Sequence, residues 1–462
     1  MKIAIIEANE IPPKIFEWYS ALRPHSAIAD ILQAAGGLIR TRATDVTEEF
    51  LYPSQTWASF NTGQPFDQHN VHWYNDPKTY EDFFWLRAAK SGKKTVLVNT
   101  LHSSPLNKFP EEKNLVCVIP DCFAADCQTI PTRYENFQTL NVFLARENGR
   151  KASIKQTLLA ALGAWIAKPS LRYWGLSFAS AKDIGRTVLS ALSGRPERLR
   201  NAQFPLVAQI FLTNLEEHNP DLAVLFTNHV AANMHRYWYA AFPNDYPAPA
   251  YPSEWQEKYR NEILYAMDLL DSWLEKYKRW CLRNDTVMLI TTSMGQCANT
   301  NLSSDVVGKN RYGYRIFDPI AFLKFVGITG AFHFEGAMVP QYTYSFDSSS
   351  DIAAAVECLH AYATPQGKDG IVLELDQSGF KLTLTVDVLS PDSDVVEINP
   401  LVYNSAAGLK VFEIDDHHSG RHHPIGSLLF WNDLSGLLTK YVGKELDYLQ
   451  VNPLIAEISE AH

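Results

Sequence analysis

Polar side chains with acid–base and metal-binding chemistry are concentrated directly after a short apolar run near the middle of the chain. Residues 222–226 are apolar without alternation, which is typical of a strand buried on both faces. The residues that follow include Asn228, His229, Asn233, His235 and Arg236. Ligands of open parallel sheets bind beyond the carboxyl ends of the strands, so this cluster is a candidate site. The alternative is a loop whose Asn and His side chains satisfy its own backbone.

Similar polar groups follow other apolar runs. They are Glu7, Asn9 and Glu10 after residues 2–6, Gln296 after residues 286–291, His422 among the histidines of 417–423, and the hydroxyls Ser54 and Thr56 in the segment 51–74. Carboxylates and imidazoles close to a hydroxyl act as general acids and bases, and amides and imidazoles bind phosphoryl or carboxylate groups. We expect these residues to converge over one sheet edge. The catalytic candidates are Thr56, Ser54, His235, His422 and Glu10; the substrate-binding candidates are Glu7, Asn9, Asn228, His229 and Gln296.

Strands and helices alternate along most of the chain, which predicts the elements that position these side chains. Strands are predicted at 2–6, 94–98, 115–119, 221–227 and 286–291. A long amphipathic helix is predicted at 253–283 with Ser253 as its N-cap, and Ser26 is a second predicted N-cap. A strand, a helix of this length and a further strand form a βαβ unit. The expected fold class is therefore α/β, a mostly parallel sheet sandwiched by helices.

Two segments interrupt this alternation. Residues 136–216 have helical patterns, as at 154–167, and are interpreted as a helical cap inserted in the core. Within them, residues 151–200 carry nine Lys or Arg against two acids, Asp183 and Glu197. Such charge asymmetry indicates either a surface for an anionic substrate or membrane, or a solvated insertion. Residues 331–400 are interpreted as a small α+β insertion, which leaves 1–135, 217–330 and 401–462 as the core.

Composition narrows the functional classes. The formal charge is 41 − 51 = −10, which argues against general nucleic-acid binding. No run of about 18 apolar residues occurs, so no membrane span is expected. The six cysteines lack a CxxC zinc spacing and are interpreted mostly as core residues of a protein in a reducing compartment. The expected location is cytoplasmic, with peripheral contact to a membrane as an option.

Five segments together resemble the alkaline phosphatase superfamily, in particular its type I phosphodiesterase/nucleotide pyrophosphatase and phosphopentomutase-like branch. They are IIEANEI, YPSQTWASFNTGQPFDQHNV, DLAVLFTNHVAANMHRYW, TVMLITTSMGQ and GRHHPIG, which occur in the order that the family has. The last of them matches the family's Gly-x-His-x-x-x-Gly. The resemblance implies the family's fold and, in an ordinary member, two divalent metals held by six side chains.

The resemblance also implies that the metal site is degenerate. Carried over by position, the family's ligands fall on Asn9, Ala231, His235, Ser293, Met294 and His422. Only the two histidines are unchanged, and Ala and Met side chains cannot coordinate a hard or borderline dication. The family's nucleophile falls close to Ser54 and Thr56, each of which needs a base or a metal for activation. One divalent metal, Zn or Mn, bound through His235 and His422 in an incomplete site is the cofactor candidate.

These observations leave different classes of function open. The first is a divergent enzyme that hydrolyses or transfers a phosphorylated, lipid-linked or otherwise anionic substrate, using Ser or Thr with His and Glu groups. The second is a pseudoenzyme or binding protein that keeps the pocket without the chemistry. The third is a partner of a membrane surface, which would use the basic residues of 151–200.

The loss of four of the six implied ligands leads to a first prediction. The purified protein should retain fewer than two equivalents of tightly bound transition metal after dialysis. Elemental analysis checks this directly. Two zinc or two manganese ions per chain would contradict it and restore an ordinary two-metal site.

Overall fold

The computed structural model describes residues 1–47, 51–72, 74, 82–106, 112–124, 126–146, 171–300, 311–316, 318–338, 341–363, 373–378, 380–386, 409–414 and 418–460. The helix predicted at 154–167 and the histidine at position 417 lie outside these residues. The strands are β1 Lys2–Ala8, β2 Ile39–Arg42, β3 Thr95–Thr100, β4 Leu115–Pro120, β5 Leu222–Thr227, β6 Thr286–Thr291, β7 Gly295–Ala298, β8 Arg311–Ile316, β9 Phe332–Met338, β10 Gln341–Phe346, β11 Leu373–Ser378, β12 Lys381–Val386, β13 Leu409–Ile414, β14 Gly420–His423, β15 Ile425–Trp431 and β16 Glu445–Asp447.

The helices follow the same chain order. They are α1 Pro13–Leu22, α2 Ala27–Ala35, α3 Pro53–Thr62, α4 Phe66–His69, α5 Phe84–Lys90, α6 Glu135–Arg146, α7 Phe178–Leu192, α8 Gln203–His218, α9 His229–Ala241, α10 Ser253–Tyr259, α11 Glu262–Arg283, α12 Pro319–Val326, α13 Ser349–Ala363 and α14 Val451–Glu460. Among the described residues, no helix is both long and apolar enough to cross a bilayer.

Eight strands form the central sheet, in the order β16-β2-β15-β6-β1-β5-β3-β4. The neighbouring pairs are parallel except those of β15, which runs antiparallel to both β2 and β6. This arrangement confirms the predicted mostly parallel sheet. The parallel pairing brings the carboxyl ends of β1, β5 and β6 to one edge, where the polar residues that follow each strand meet.

Helices cover both faces of this sheet because its central strands are apolar on both. Ala4 and Ile6 of β1 belong to one core cluster, with residues from α1, α2, α8, α9 and α11. Ile3 and Ile5 belong to a second cluster, with residues from α3, α5 and α14. The alternation of β1 between the two clusters follows from the two-residue period of a strand. The sheet is thus the middle of three layers, which confirms the prediction of a sheet sandwiched by helices.

The prediction of a single helix over 253–283 is wrong. The chain forms α10 and then α11, and Asn261 interrupts them with φ −104° and ψ 6°. Ser253 does not cap the first helix, because the N-cap is Pro252, which makes no side-chain bond. The N-cap at Ser26 is confirmed, since its hydroxyl accepts a hydrogen bond of 3.1 Å from the amide of Ala29.

A second, four-stranded sheet has the order β11-β12-β10-β9, with antiparallel pairing throughout. Its residues pack with α12 and α13 in a separate core cluster. Within the α+β insertion the sequence predicts a strand from about 342, a helix at 352–362 and strands at 370–375 and 381–386; these overlap β10, α13, β11 and β12, whereas β9 is not predicted. The boundaries assigned to the helical cap and to the α+β insertion stay predictions. The cysteines are less buried than expected: all six are free, and Cys117 and Cys281 alone are fully buried.

The two-stranded ladder of β7 and β14 lies beside the sheet edge. It is antiparallel and places His422 directly opposite Gln296, so the two side chains share one face of the ladder. At one end of this ladder the backbone of Gly295 packs closely against the backbone of Ile425; this contact is called the tight crossing. A Cβ atom added to Gly295 would lie 2.1 Å from the carbonyl oxygen of Ile425, so only glycine fits at this position.

Substitution of Gly295 tests whether this crossing holds the ladder in place. Gly295→Ala should lower the free energy of unfolding by about 3 kcal/mol, because the methyl group overlaps backbone that cannot move aside. The matched control is Gly185→Ala within α7, where nothing lies within 4 Å of the added carbon. That control should raise stability by about 0.5–1 kcal/mol. If urea denaturation gave the same change in the free energy of unfolding for Gly295→Ala and Gly185→Ala, the tight crossing would be contradicted.

Candidate metal centre

Glu10 occupies a strained turn directly beyond β1. Its φ is +61°, a left-handed conformation that costs a non-glycine residue about 1–2 kcal/mol. The side chain is nevertheless buried, with the residue 2% exposed. Burial of a carboxylate in a strained turn requires partners that hold it there.

Two imidazoles supply such partners. The carboxylate oxygen Oε2 of Glu10 lies 2.9 Å from Nε2 of His235 and 3.4 Å from Nε2 of His422. The two imidazole rings have centroids 5.0 Å apart. His235 comes from α9 and His422 from β14, so three distant parts of the chain meet at one oxygen atom. The structure thus brings together the three residues that the sequence placed at strand ends and in the GRHH motif.

Neutral amides surround this carboxylate. Asn9 donates to Oε1 of Glu10 at 2.6 Å and to Oδ1 of Asn228 at 2.8 Å, while its own oxygen accepts from Nε1 of Trp57 at 2.8 Å. Gln296 donates to Oε2 of Glu10 by a short hydrogen bond. An indole N–H only donates, so the Trp57 contact fixes which end of the Asn9 amide is oxygen. Asn9, Asn228 and Gln296 therefore converge: Asn9 and Gln296 hold Glu10 in place, and Asn228 binds Asn9.

The backbone at Gly420 orients His235. Nδ1 of His235 lies 3.1 Å from the carbonyl oxygen of Gly420, so this nitrogen donates to the backbone and Nε2 is left facing the Glu10 carboxylate, as the nitrogen that would ligate a metal. A Cβ on Gly420 would approach the Met234 carbonyl oxygen to 2.6 Å. Glycine at the start of the GRHH motif thus lets β14 pack closely on α9.

Opposing effects set the charge of Glu10. Burial acts to raise the pKa of Glu10, but the positive charges of His422 and His235 and their hydrogen bonds hold the pKa well below its usual range. The carboxyl group is therefore anionic at neutral pH. An anionic carboxylate is the form that ligates a metal.

The donor set fits one divalent metal. One ligand atom from each of Glu10, His235 and His422 lies within 4.8 Å of the other two. Two imidazoles and one carboxylate are a ligand combination of catalytic zinc sites that keep a position open for substrate. Because the carboxylate comes from Glu10, the site does not need one at Ala231, which is a buried part of the core.

The positions implied for a second metal do not fit one. Met294 is 0% exposed and belongs to the core cluster on the face of α3. The hydroxyl of Ser293 is bound to that of Thr56 at 2.8 Å. The thioether of Met294 and the neutral hydroxyl of Ser293 are poor ligands for a second divalent metal.

The remaining predicted residues lie elsewhere or have other partners. His229 has both ring nitrogens in use, Nδ1 with the Thr227 hydroxyl at 2.7 Å and Nε2 with the Ala266 carbonyl at 3.1 Å. Burial lowers the pKa of His229 to about 3, so the ring is neutral. The hydroxyl of Ser54 donates to the His72 carbonyl at 2.8 Å. Neither residue contacts the Glu10 carboxylate.

Asp121 and Tyr74 are polar residues that the sequence analysis missed. Asp121 follows β4 and is fully buried; its Oδ1 accepts from the Phe123 amide at 2.7 Å. Burial raises the pKa of Asp121 to about 7. The Tyr74 ring stacks on Phe123 at 4.9 Å. Burial raises the pKa of Tyr74 above its usual value, and the charges of Asp121 and Glu10 raise it further. The rule of polar residues after strands would have found Asp121, but nothing in the sequence indicates Tyr74.

No protein-family model and no curated protein sequence matches the chain. Solved structures similar to it include phosphonoacetate hydrolase from Sinorhizobium meliloti 1021 with phosphonoformate, at 13% identity over 99% of this chain and 96% of that chain, with a TM-score of 0.39. Murine ectonucleotide pyrophosphatase/phosphodiesterase 5 has 10% identity over 100% and 96%, with a TM-score of 0.35. An alkaline phosphatase from the psychrophile Shewanella sp. has 10% identity over 100% of both chains, with a TM-score of 0.32.

Glu7 gives a prediction about pH. It lies on β1, is 0% exposed, and neither carboxyl oxygen has a hydrogen-bond partner among the described residues. Burial raises its pKa from 4.5 to about 8, so the folded state keeps the carboxyl group neutral. The stability that this provides is complete below pH 4.5 and is lost as the pH rises to about 8.

Glu7→Gln should therefore remove much of the pH dependence of unfolding in that range. Near pH 8 the free energy of unfolding of the variant should be about 4 kcal/mol larger than that of the parent protein, since each pKa unit corresponds to about 1.4 kcal/mol. Urea denaturation from pH 4.5 to pH 8 measures this. Glu457→Gln, at an exposed position of α14, is the control and should leave the slope unchanged. Parallel pH profiles for parent and Glu7→Gln would contradict the assignment.

Proposed function

We propose that the protein is a hydrolase or transferase that acts on a phosphorylated or otherwise anionic small molecule and uses one divalent metal. The convergence of Nε2 of His235 and Nε2 of His422 on Oε2 of Glu10, at 2.9 and 3.4 Å, carries the proposal. Atoms bound to one tetrahedral zinc at about 2.0–2.1 Å lie about 3.3 Å from one another. The two imidazole–carboxylate distances lie close to this value.

Each residue of the site has a defined part in this proposal. Glu10, His235 and His422 would hold Zn²⁺ or Mn²⁺, and Asn9 and Gln296 fix the Glu10 carboxylate. A divalent metal held there would supply Lewis-acid stabilisation of the negative charge that develops on a substrate oxygen. The protein ligands provide one negative charge, so a bound dication leaves a net positive site. That charge favours an anionic substrate.

Thr56 is the better candidate for the nucleophile among the two predicted hydroxyls. Its hydroxyl faces another hydroxyl, that of Ser293 at 2.8 Å, and the next residue, Trp57, is bound to Asn9. The Ser54 hydroxyl instead donates to a backbone carbonyl. Thr56→Ala separates attack by Thr56 from direct attack by water, because only the first mechanism loses turnover with metal affinity intact.

A pseudoenzyme or binding protein is the second candidate, and a specific observation favours it. The loss of the second metal position at Ser293 and Met294 removes one of the two charges that stabilise attacking and leaving oxygens in two-metal enzymes. The site would then bind an anionic ligand without turning it over. A lipid-linked substrate and a cytoplasmic location remain part of the proposal as expected from the sequence.

Metal titration of purified variants tests the site without assuming activity. Isothermal titration with Zn²⁺ or Mn²⁺ should give one equivalent per chain. Glu10→Gln and His422→Asn should each weaken binding by at least about 100-fold, because each removes a ligand. Gln296→Leu should weaken it by about 10-fold, because it acts on the orientation of Glu10. The exposed His25 provides the control, since His25→Gln should bind metal normally.

Turnover of a panel of phosphomonoesters, phosphodiesters and phosphonates then separates the two candidate functions. Metal-dependent turnover that disappears in Glu10→Gln supports the enzyme. One equivalent of metal with no turnover of the panel favours the binding protein. Equal metal binding by the parent protein and Glu10→Gln would show that the three residues form only an ion-pair cluster, and would overturn both forms of the proposal.

A further inference from the structure

Helix α7 exposes three large apolar side chains. Phe178 is 89% exposed, Leu189 68% and Leu192 65%. These residues are spaced by 11 and 3 positions, which places them along one side of a helix with 3.6 residues per turn. They include the most exposed large hydrophobic side chain in the described part of the chain. Surface helices of soluble proteins normally point such a stripe toward the core.

Polar side chains on the inward side of the same helix form hydrogen bonds with the rest of the protein. The Ser180 hydroxyl donates to the Gly175 carbonyl at 2.6 Å, and that of Thr187 lies 2.7 Å from the hydroxyl of Tyr265. The Asp183 carboxylate accepts from the indole of Trp273 at 3.1 Å. These contacts fix the rotation of the helix about its axis. The outward position of the apolar stripe is therefore built into the fold.

Cations border the apolar stripe. Lys182 and Arg186 are exposed, and they lie four and eight residues after Phe178, on the same side of the helix. Neither makes a salt bridge with a residue that the structure describes, whereas the neighbouring Arg198 pairs with Glu262 at 2.8 Å. The half-buried Lys276 on α11 adds a third positive charge close to Asp183 and Lys182. The local charge is thus positive on a chain of net charge −10.

We propose that this α7 face, formed by Phe178, Leu189, Leu192, Lys182 and Arg186, docks onto an anionic lipid bilayer surface. Apolar side chains on a helix with basic neighbours are the chemistry that enters the boundary between headgroups and acyl chains. Lys and Arg beside them attract anionic headgroups. A second copy of the chain is a poorer occupant, because two such faces would place like charges against each other.

Vesicle co-sedimentation of the full chain tests this assignment. The protein should bind phosphatidylcholine vesicles that contain phosphatidylserine and should not bind phosphatidylcholine alone. Phe178→Ser with Leu189→Ser should weaken binding by at least about tenfold, since it removes the inserted side chains. Lys182→Glu with Arg186→Glu should also weaken it by at least about tenfold, because anionic lipid would then be repelled. Both pairs lie on the exposed side, so the fold should persist, as thermal unfolding can verify.

Matched controls come from elsewhere on the surface. Leu434→Ser alters a leucine that is 55% exposed, and Lys440→Glu alters an exposed lysine; neither should change vesicle binding. Equal binding to neutral and anionic vesicles, or no binding to either, overturns the proposal. So does vesicle binding that the α7 variants leave unchanged. Sedimentation equilibrium covers the second-copy alternative: a dimer that Phe178→Ser dissociates, without vesicle binding by the parent protein, would assign the face to self-association instead.

Discussion

The contact between the Glu10 carboxylate and two imidazoles is the constraint on which the rest of the site depends. A buried carboxylate in a left-handed turn is unfavourable by itself. It persists because His235, His422, Asn9 and Gln296 surround it with positive charge and hydrogen bonds. Those partners in turn require α9, the ladder of β7 and β14, and the glycine that lets them approach. The parallel sheet brings all of these to one edge, so the fold and the site are explained together.

Much of this arrangement was predictable from the sequence. Short apolar runs followed by polar residues identified β1, β5 and β6, because a strand buried on both faces is mostly apolar. Parallel pairing then implied that Glu10, Asn228 and His235 lie at one edge. His422 was predicted through the GRHH motif, and Gln296 through its position after β6. The structure places these residues together, whereas Ser54 and His229, which were expected to join them, have other partners.

Other features depend on tertiary contacts that sequence patterns do not carry. The sequence indicated that Glu10 lies near His235, but not that one of its carboxylate oxygens contacts both imidazoles, since this depends on how α9 and β14 pack. His229 has the same residue type as His235 yet points at Thr227 and Ala266, because the start of α9 turns it away from the site. The break at Asn261 was also hidden, since the apolar spacing continues across it from α10 to α11.

X-ray absorption spectroscopy of the protein loaded with one equivalent of zinc tests the central claim most directly, because it reports the atoms around the metal. The site described here predicts two imidazole nitrogens and one carboxylate oxygen at about 2.0–2.2 Å, with no second metal nearby. In Glu10→Gln the spectrum should instead indicate zinc coordinated by solvent. A metal–metal distance of about 3.5–4 Å, or a shell without imidazole, would contradict the account.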